Sequence, residues 1–152
     1  MKTIIIAKAY TELKNAKLSK MEDADKFKVI EAMREMRTVS EKYEADEKET
    51  LEKLKDEKYD EMTKRAQKHN LAVDQKKTDG LMTPKEMDEA GAYFKEWEKQ
   101  TSSFLNGIQE KEVKMKFNKL TKEAFSKLID SNDMKLETIM GSILMLAFRL
   151  IY

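Results

Sequence analysis

Helix-breaking residues are scarce in this chain, and their scarcity limits the folds that it can adopt. The 152 residues include four glycines and one proline, and neither type occurs between Ser19 and His69. Glycine and proline are the residues that most disfavour a helix interior. Charged residues make up 39% of the chain, with both signs interspersed and a net charge of +1. This pattern is typical of helices with solvated, ion-paired faces, so we predict a mainly α fold.

The longest predicted helix runs from about residue 22 to His69. Ser19 and Glu22 have the spacing of an N-terminal capping box, and Asn70 suits a C-terminal stop because asparagine tolerates the left-handed conformation. At about 1.5 Å per residue this helix would be roughly 70 Å long. A break near residues 38–40 is the alternative. The apolar stripe of the helix consists of Val29, Met33, Met36, Tyr43, Leu51 and Leu54.

A second helix is predicted to begin at Pro84. Thr83 has the character of an N-cap, Pro84 suits the first helical position, and Glu86 completes a capping box. Asn106 and Gly107 are candidates for the end of this helix. The apolar stripe of this second helix should pack antiparallel on the long helix. This packing predicts a long antiparallel helical hairpin over about residues 22–108. This stripe consists of Met87, Ala90, Phe94, Trp97, Thr101, Phe104 and Ile108, widened by Leu105.

The other segments predict a small helical base, from which the hairpin projects within a single domain of residues 1–152. Residues 3–17 form a helix with one apolar face, or begin with a strand at 3–6. Residues 112–120 alternate like a half-buried strand, so they either pair with 4–6 in a short two-stranded β ribbon or lie extended against the core. Thr121 should cap a short helix, and Asn132 or Asp133 a last one. The apolar face of the first helix consists of Ile6, Ala9, Tyr10, Leu13 and Ala16; the alternating side chains are Val113, Met115 and Phe117.

The segment DQKKTDGLMTPKEMDEA, residues 74–90, has the outline of a calcium-binding EF-hand loop. With Gly80 at loop position 6, Asp79 falls at position 5 and Glu86 at position 12, as such a loop requires. Positions 1 and 3 would be Gln75 and Lys77, and a lysine ammonium repels the cation. We therefore interpret the segment as a turn followed by a helix-initiating capping box, and we predict no metal site.

Composition also bears on catalysis. The chain has no cysteine, which excludes thiol nucleophiles, disulfides and cysteine-ligated zinc. His69 is the only histidine, and the Glu-x-x-His motif of carboxylate metal bundles fails because residue 66 is Ala66. A role for His69 in capping the end of the long helix is sufficient to explain it. We predict a protein that is not an enzyme and that carries no cofactor.

The apolar C-terminal segment, IMGSILMLAFRLIY, is the best candidate for contact with a protein partner or a second copy. Its side chains extend beyond one helical stripe, so the helix is either central in the core or covered by a partner. The segment spans 14 residues and contains Arg149, against the roughly 20 apolar residues needed to cross a bilayer. We expect no membrane contact, and the balanced charge predicts no nucleic-acid binding. The candidate interaction surface consists of Met140, Leu144, Met145 and Phe148.

The order of these parts resembles that of small helical phage and prophage proteins of unknown function that are encoded among tail genes. The resemblance lies in AKAYTELKNAKLSKMEDADKFKVIEAMREM, in the long charged helix after it, and in VKMKFNKLTKEAFSKLIDSND before the apolar C-terminal helix. It implies a structural or assembly-related, tail-associated component, located in the bacterial cytoplasm or in the virion. The alternative is a regulatory or ligand- or peptide-binding helical module of a bacterial cell, with a groove formed by the methionine-rich helices.

Overall fold

The computed structural model describes residues 1–132 and 139–150, with the side chains of residues 139–142 left undescribed. In this part of the chain all regular secondary structure is helical, which confirms the mainly α prediction. The helices are α1 Thr3–Leu13, α2 Asp23–Leu54, α3 Glu57–Asp74, α4 Pro84–Gln109, α5 Lys122–Ser131 and α6 Ile139–Ala147.

The chain divides into two compact units. Unit 1 comprises Met1–Asp46 together with Gly107–Tyr152, and unit 2 comprises Glu47–Asn106. Helices α2 and α4 each contribute to both units. The expected arrangement of one domain with a projecting hairpin over about 22–108 stays a prediction.

The core of unit 1 confirms the apolar face predicted for α1. Ile6, Ala9 and Leu13 are buried at three- and four-residue spacing, and α1 packs on α6. Burial of such side chains stabilises the fold by roughly 1.5–3 kcal/mol for each large one. The predicted side chains Val113, Met115 and Phe117 are half-buried against this core. The fully enclosed members of the core include Ile6, Ala9, Val29, Ala32, Met36, Leu128, Leu144, Ala147 and Phe148.

The predicted β ribbon does not form. Residues 4–6 belong to α1, and the described residues hold a single isolated antiparallel bridge between Lys2 and Glu112. The bridge consists of two bonds of 2.9 Å, from the Thr3 amide to the Lys111 carbonyl and from the Val113 amide to the Met1 carbonyl, and the Thr3 hydroxyl also donates to the Lys111 carbonyl at 2.8 Å. Burial of Ile6 in the core outweighs the strand preference of the β-branched residues. The alternative, an extended segment packed on the core, is the one observed.

The long helix differs from its prediction at its start and in its continuity. It begins at Asp23, so the predicted box at 19–22 is wrong, and the Glu22 carboxylate accepts instead from the Lys127 ammonium at 2.8 Å. It is continuous through residues 38–48 but ends at Leu54, so neither a single helix to His69 nor a break at 38–40 is correct. Asp56 interrupts it by capping α3, since its carboxylate accepts from the Tyr59 amide at 2.7 Å.

The predicted stop at Asn70 is also wrong, because α3 continues to Asp74. The helix ends in a Schellman motif: the Lys76 amide donates to the Val73 carbonyl at 3.0 Å and the Lys77 amide to the Ala72 carbonyl at 2.9 Å. Lys76 occupies the left-handed position of this motif with φ 53°. Lysine is an unfavourable residue there, since glycine alone adopts this conformation without a steric cost.

The start of α4 confirms the predicted capping box. The Thr83 amide donates to the Glu86 carboxylate at 2.8 Å, and the Glu86 amide donates to the Thr83 hydroxyl at 3.3 Å. The helix runs through residues 106–107 and ends at Gln109, beyond its predicted end. The predicted stripe is right at its centre and wrong at its edge, because Leu105 is half-buried whereas Phe104 is exposed.

Helix α5 confirms Thr121 as an N-cap, since its hydroxyl accepts from the Ala124 amide at 3.1 Å. Asn132 acts at the other end of this helix. Its amide oxygen accepts from the Lys17 backbone amide at 2.7 Å, and its amide nitrogen donates to the carbonyls of Lys17 and Leu128 at 2.9 and 2.8 Å. Asn132 therefore joins the chain after α1 to the end of α5. The predicted cap at Asp133 lies outside the described residues.

Candidate functional site

Two of the four side chains of the predicted interaction surface on α6 are buried within unit 1. Leu144 and Phe148 are 0% exposed, and the Phe148 ring meets that of Phe117 edge to face at 5.7 Å between centroids. Met145 is half-buried against the same core, and the side chain of Met140 lies outside the described residues. Leu144, Ala147 and Phe148 of α6 are buried in the core of unit 1, whereas Leu146 of the same helix is 37% exposed. The sequence suggested that a partner covers Leu144 and Phe148. The structure corrects this expectation, because the core of the same chain covers both side chains.

The calcium-loop candidates Gly80 and Glu86 have structural roles in the turn before α4 and in the cap at its start. The Glu86 carboxylate accepts hydrogen bonds from the Thr83 amide and hydroxyl, and these bonds hold the pKa of Glu86 below its usual value. Gly80 has φ 94°, which is the left-handed turn conformation that glycine favours. A Cβ at this position would also lie 3.1 Å from the side chain of Lys68. Over the described part of the chain, no three acidic or histidine side chains converge to form a cation site.

His69 connects α3 to the loop rather than ending the helix, which corrects its predicted role. Its Nδ1 accepts from the Met82 backbone amide at 3.0 Å. The contact fixes the loop against α3 one residue before the Thr83 cap.

A network around Asp56 fixes the break between α2 and α3 within unit 2. The Asp56 carboxylate accepts from the Tyr93 hydroxyl at 2.7 Å in addition to the Tyr59 amide, and both bonds hold its pKa below the ordinary value. Burial, followed by the bond to Asp56, raises the pKa of Tyr93 to about 12. The Trp97 indole N–H donates to the Leu54 carbonyl at 3.4 Å and so satisfies a terminal carbonyl of α2.

Aromatic rings hold α4 on α3 beside this network. The Tyr59 ring lies 4.6 Å from the Trp97 ring and 5.9 Å from the Phe94 ring, between centroids. Two ammonium groups cover the cluster, with Lys55 at 5.4 Å from the Tyr59 ring and Lys58 at 5.3 Å from the Tyr93 ring. These contacts show that α3 and α4 are antiparallel neighbours, as the hairpin prediction requires for this part of the chain.

The turn between α3 and α4 exposes apolar side chains that continue the facing stripes of the two helices. Val73 follows Met62, Ala66 and His69 at helical spacing, and Met87 precedes Ala90 and Phe94 in the same way. Val73 is nevertheless 54% exposed and Met87 43%, and Leu81 in the loop is 44% exposed. We use the name hairpin end for the three side chains Val73, Leu81 and Met87. Exposed apolar side chains gathered at one end of a structure are typical of a protein contact.

A cavity of about 220 Å³ lies within unit 1, beside α2, the last turn of α4 and the extended segment that follows it. Val39 and Tyr43 of α2 form one wall, and Ile108 and Val113 form the other. Tyr43 is buried, and the other three are half-buried. The remaining lining residues, Thr3, Thr38, Lys42, Asp46 and Lys111, are polar or charged, so the site combines apolar and polar surface.

Hydrogen bonds fix the walls of the cavity. The Gln109 side-chain amide donates to the Tyr43 hydroxyl at 3.4 Å, which joins the end of α4 to α2. Thr3 lines the cavity and, through its two bonds to the Lys111 carbonyl, holds the extended segment in place. A cavity whose walls are joined in this way does not need to be opened by its ligand.

Charged side chains stand at the mouth of the cavity. Lys42 and Lys111 line it and are exposed, and Asp46 lines it and is half-buried. The charge of these three side chains sums to +1, from two lysines and one aspartate. Sequence reasoning missed this site because its residues come from three separate segments, namely Thr3, the face of α2 from 38 to 46, and residues 108–113, which only the fold brings together.

Neither the fold nor these features identify a relative. Searches of protein-family models, of curated proteins and of solved structures each returned no match for this chain. No helix in the described residues is both long enough and apolar enough to cross a membrane.

Proposed function

We propose that the protein is a non-enzymatic assembly component that associates with further copies of itself through the hairpin end. The exposure of Val73 and Met87 where the facing stripes approach the loop, together with that of Leu81 in the loop, carries this proposal. His69 and Glu86 were the candidates for catalysis and for calcium binding. Both make bonds that hold the α3–α4 loop and the start of α4, and this structural role supports a non-enzymatic component.

A second copy is the partner that the charges favour. The chain has 30 basic and 29 acidic residues, so copies do not repel each other at long range. The loop beside the hairpin end carries Asp74, Lys76, Lys77 and Asp79, in the order acidic, basic, basic, acidic. An isologous contact pairs one patch with itself, so a patch that carries both signs is able to place acidic groups of one copy against basic groups of the other.

Light scattering coupled to size-exclusion chromatography tests the proposal. The mass of the natural protein should rise with loading concentration, and Val73→Lys or Met87→Lys should return it to that of one chain. Leu71→Lys is the matched control, since Leu71 is 57% exposed on the opposite side of the same helix end. A single-chain mass at every concentration would overturn self-association, as would equal effects of Leu71→Lys and Val73→Lys.

The biological setting is a narrower proposal. The resemblance in layout to small helical phage and prophage proteins supports a role as an assembly- or tail-associated component. The genes beside this one are the test: tail genes would support the proposal, and a metabolic operon would contradict it.

The cavity of unit 1 favours a second candidate function, a regulatory or ligand-binding module. Its lining differs from the methionine-rich groove expected from the sequence, because its walls are formed by Val39, Tyr43, Ile108 and Val113. A fragment screen by NMR, with shifts mapped to these four residues, distinguishes such a module from a purely structural protein.

A further inference from the structure

We propose that the cavity of unit 1 binds a small amphipathic monocarboxylate, such as a short fatty acid or an aromatic acid. The inference rests on the second function proposed above, a ligand-binding module, and it specifies the class of ligand. The apolar part of the ligand lies between Val39 and Tyr43 on one side and Ile108 and Val113 on the other. The carboxylate lies at the mouth, within reach of Lys42 and Lys111.

Volume limits the size of the ligand. A cavity of roughly 150 Å³ holds benzene, which has six non-hydrogen atoms. At about 220 Å³ the present cavity accommodates proportionally about nine such atoms. Hexanoate has about eight non-hydrogen atoms and benzoate about nine, so both fit without enlargement of the site.

Charge decides the class of head group. The two exposed lysines and Asp46 leave one positive charge at the mouth, and a singly charged anion neutralises it. A doubly charged phosphate would over-compensate this charge and would approach Asp46 more unfavourably. A cation would meet the two ammonium groups. Hydrogen bonds from lysine to a carboxylate are charge-assisted and are therefore stronger than bonds to a neutral amide of the same shape.

The walls are suited to binding because they are largely preformed. The Gln109–Tyr43 bond and the two bonds from Thr3 to the Lys111 carbonyl join the elements around the cavity before any ligand enters. Preorganisation reduces the entropy cost of binding, since few side chains must be ordered by the ligand.

The test is an NMR titration of the full chain with hexanoate and with hexanamide, its neutral counterpart of the same shape. Hexanoate should shift the signals of Val39, Tyr43, Ile108 and Val113, and should bind about tenfold more tightly than hexanamide. Lys42→Gln and Lys111→Gln should each weaken hexanoate binding several-fold and leave hexanamide binding unchanged.

Two further variants locate the site. Lys116→Gln is the matched control, since Lys116 is exposed on the same extended segment and does not line the cavity; it should bind hexanoate normally. Val39→Trp fills the cavity and should abolish binding of both ligands. If that variant does not fold, the exposed lysine variants still decide the outcome.

The possible failures are distinguishable. Equal binding of hexanamide and hexanoate at the four wall residues would overturn the monocarboxylate inference and leave a ligand-binding module in place. Shifts of other residues alone would overturn the assignment to this cavity. An absence of shifts with either ligand, together with a Val39→Trp variant more stable than the natural protein, would overturn both proposals, because the cavity would then be a packing void.

Discussion

Ser40 lies on the buried stripe of α2, between Met36 and Tyr43, and its replacement by alanine should stabilise the protein. The residue is 0% exposed, and its hydroxyl has no hydrogen-bond partner among the described residues. A buried hydroxyl without a partner has lost its bonds to water and gained none in return. Alanine removes this group and is also the better helix former.

The magnitude follows from these two effects. Leaving a buried polar group unsatisfied costs about 1–3 kcal/mol, and the helix preference for alanine adds up to about 0.5 kcal/mol. Loss of the contacts of one oxygen atom, at about 0.1–0.2 kcal/mol each, offsets part of the gain. We expect Ser40→Ala to raise the free energy of unfolding by about 1–2 kcal/mol, which corresponds to roughly 2–8 °C in melting temperature.

Urea denaturation followed by far-UV circular dichroism measures the effect, with the slope of the transition unchanged. Ser131→Ala is the matched control, since Ser131 is also buried in unit 1 but accepts from the Lys20 amide at 3.0 Å and donates to the Lys127 carbonyl at 2.7 Å. That variant should lower the free energy of unfolding by about 1–3 kcal/mol, because the Lys20 amide loses its partner. A loss of stability in Ser40→Ala would refute the reasoning, since it would show that the hydroxyl forms a stabilising bond.

Three other predictions concern helix ends and the Asp56 network. Lys76→Gly should raise the free energy of unfolding by about 0.5–1 kcal/mol in the same urea assay, because glycine removes the left-handed strain at φ 53°; no change would mean that this strain is absent in solution. Thr121→Ala should lower it by about 1 kcal/mol through loss of the α5 cap, and Thr121→Ser should restore it. Tyr93→Phe should reduce the alkaline loss of stability relative to the natural protein. The pKa of Tyr93 is raised from 10.0 to about 12, so its contribution is present below pH 10 and is lost as the pH rises to about 12. Identical alkaline melting curves for the two proteins would contradict this.

The start of α4 and the start of α5 were predictable because their causes are local. Thr83 and Glu86 satisfy each other's amides across three residues, and Thr121 satisfies the amide of Ala124 at the same spacing. No distant contact is needed to make these bonds favourable. The buried face of α1 was predictable for a related reason, since helical spacing alone places Ile6, Ala9 and Leu13 together.

The α2–α3 break was not predictable from its own residues. Asp56 is a good N-cap, yet aspartate is also common on the exposed face of a continuous helix, so the local sequence permits both outcomes. The break is stabilised by Tyr93 and Trp97, which lie 37 residues from Asp56 and 43 residues from Leu54 in the sequence. Hydrogen bonds of that separation exist only after α4 has folded back onto α3.

Exposure at the edge of a stripe was likewise decided by packing. Phe104 and Leu105 are adjacent on α4, and helical periodicity places both near its apolar face, but only Leu105 is half-buried. The sequence of α6 likewise does not decide what covers this helix, because a helix that is apolar on several sides packs either in a core or against a partner. The local sequence thus determined where α4 and α5 begin and which face α1 buries, because those effects act within a turn or two. Tertiary structure alone decided where the long helix breaks, what covers α6 and which side chains enclose the cavity, because these depend on contacts between residues far apart in the chain.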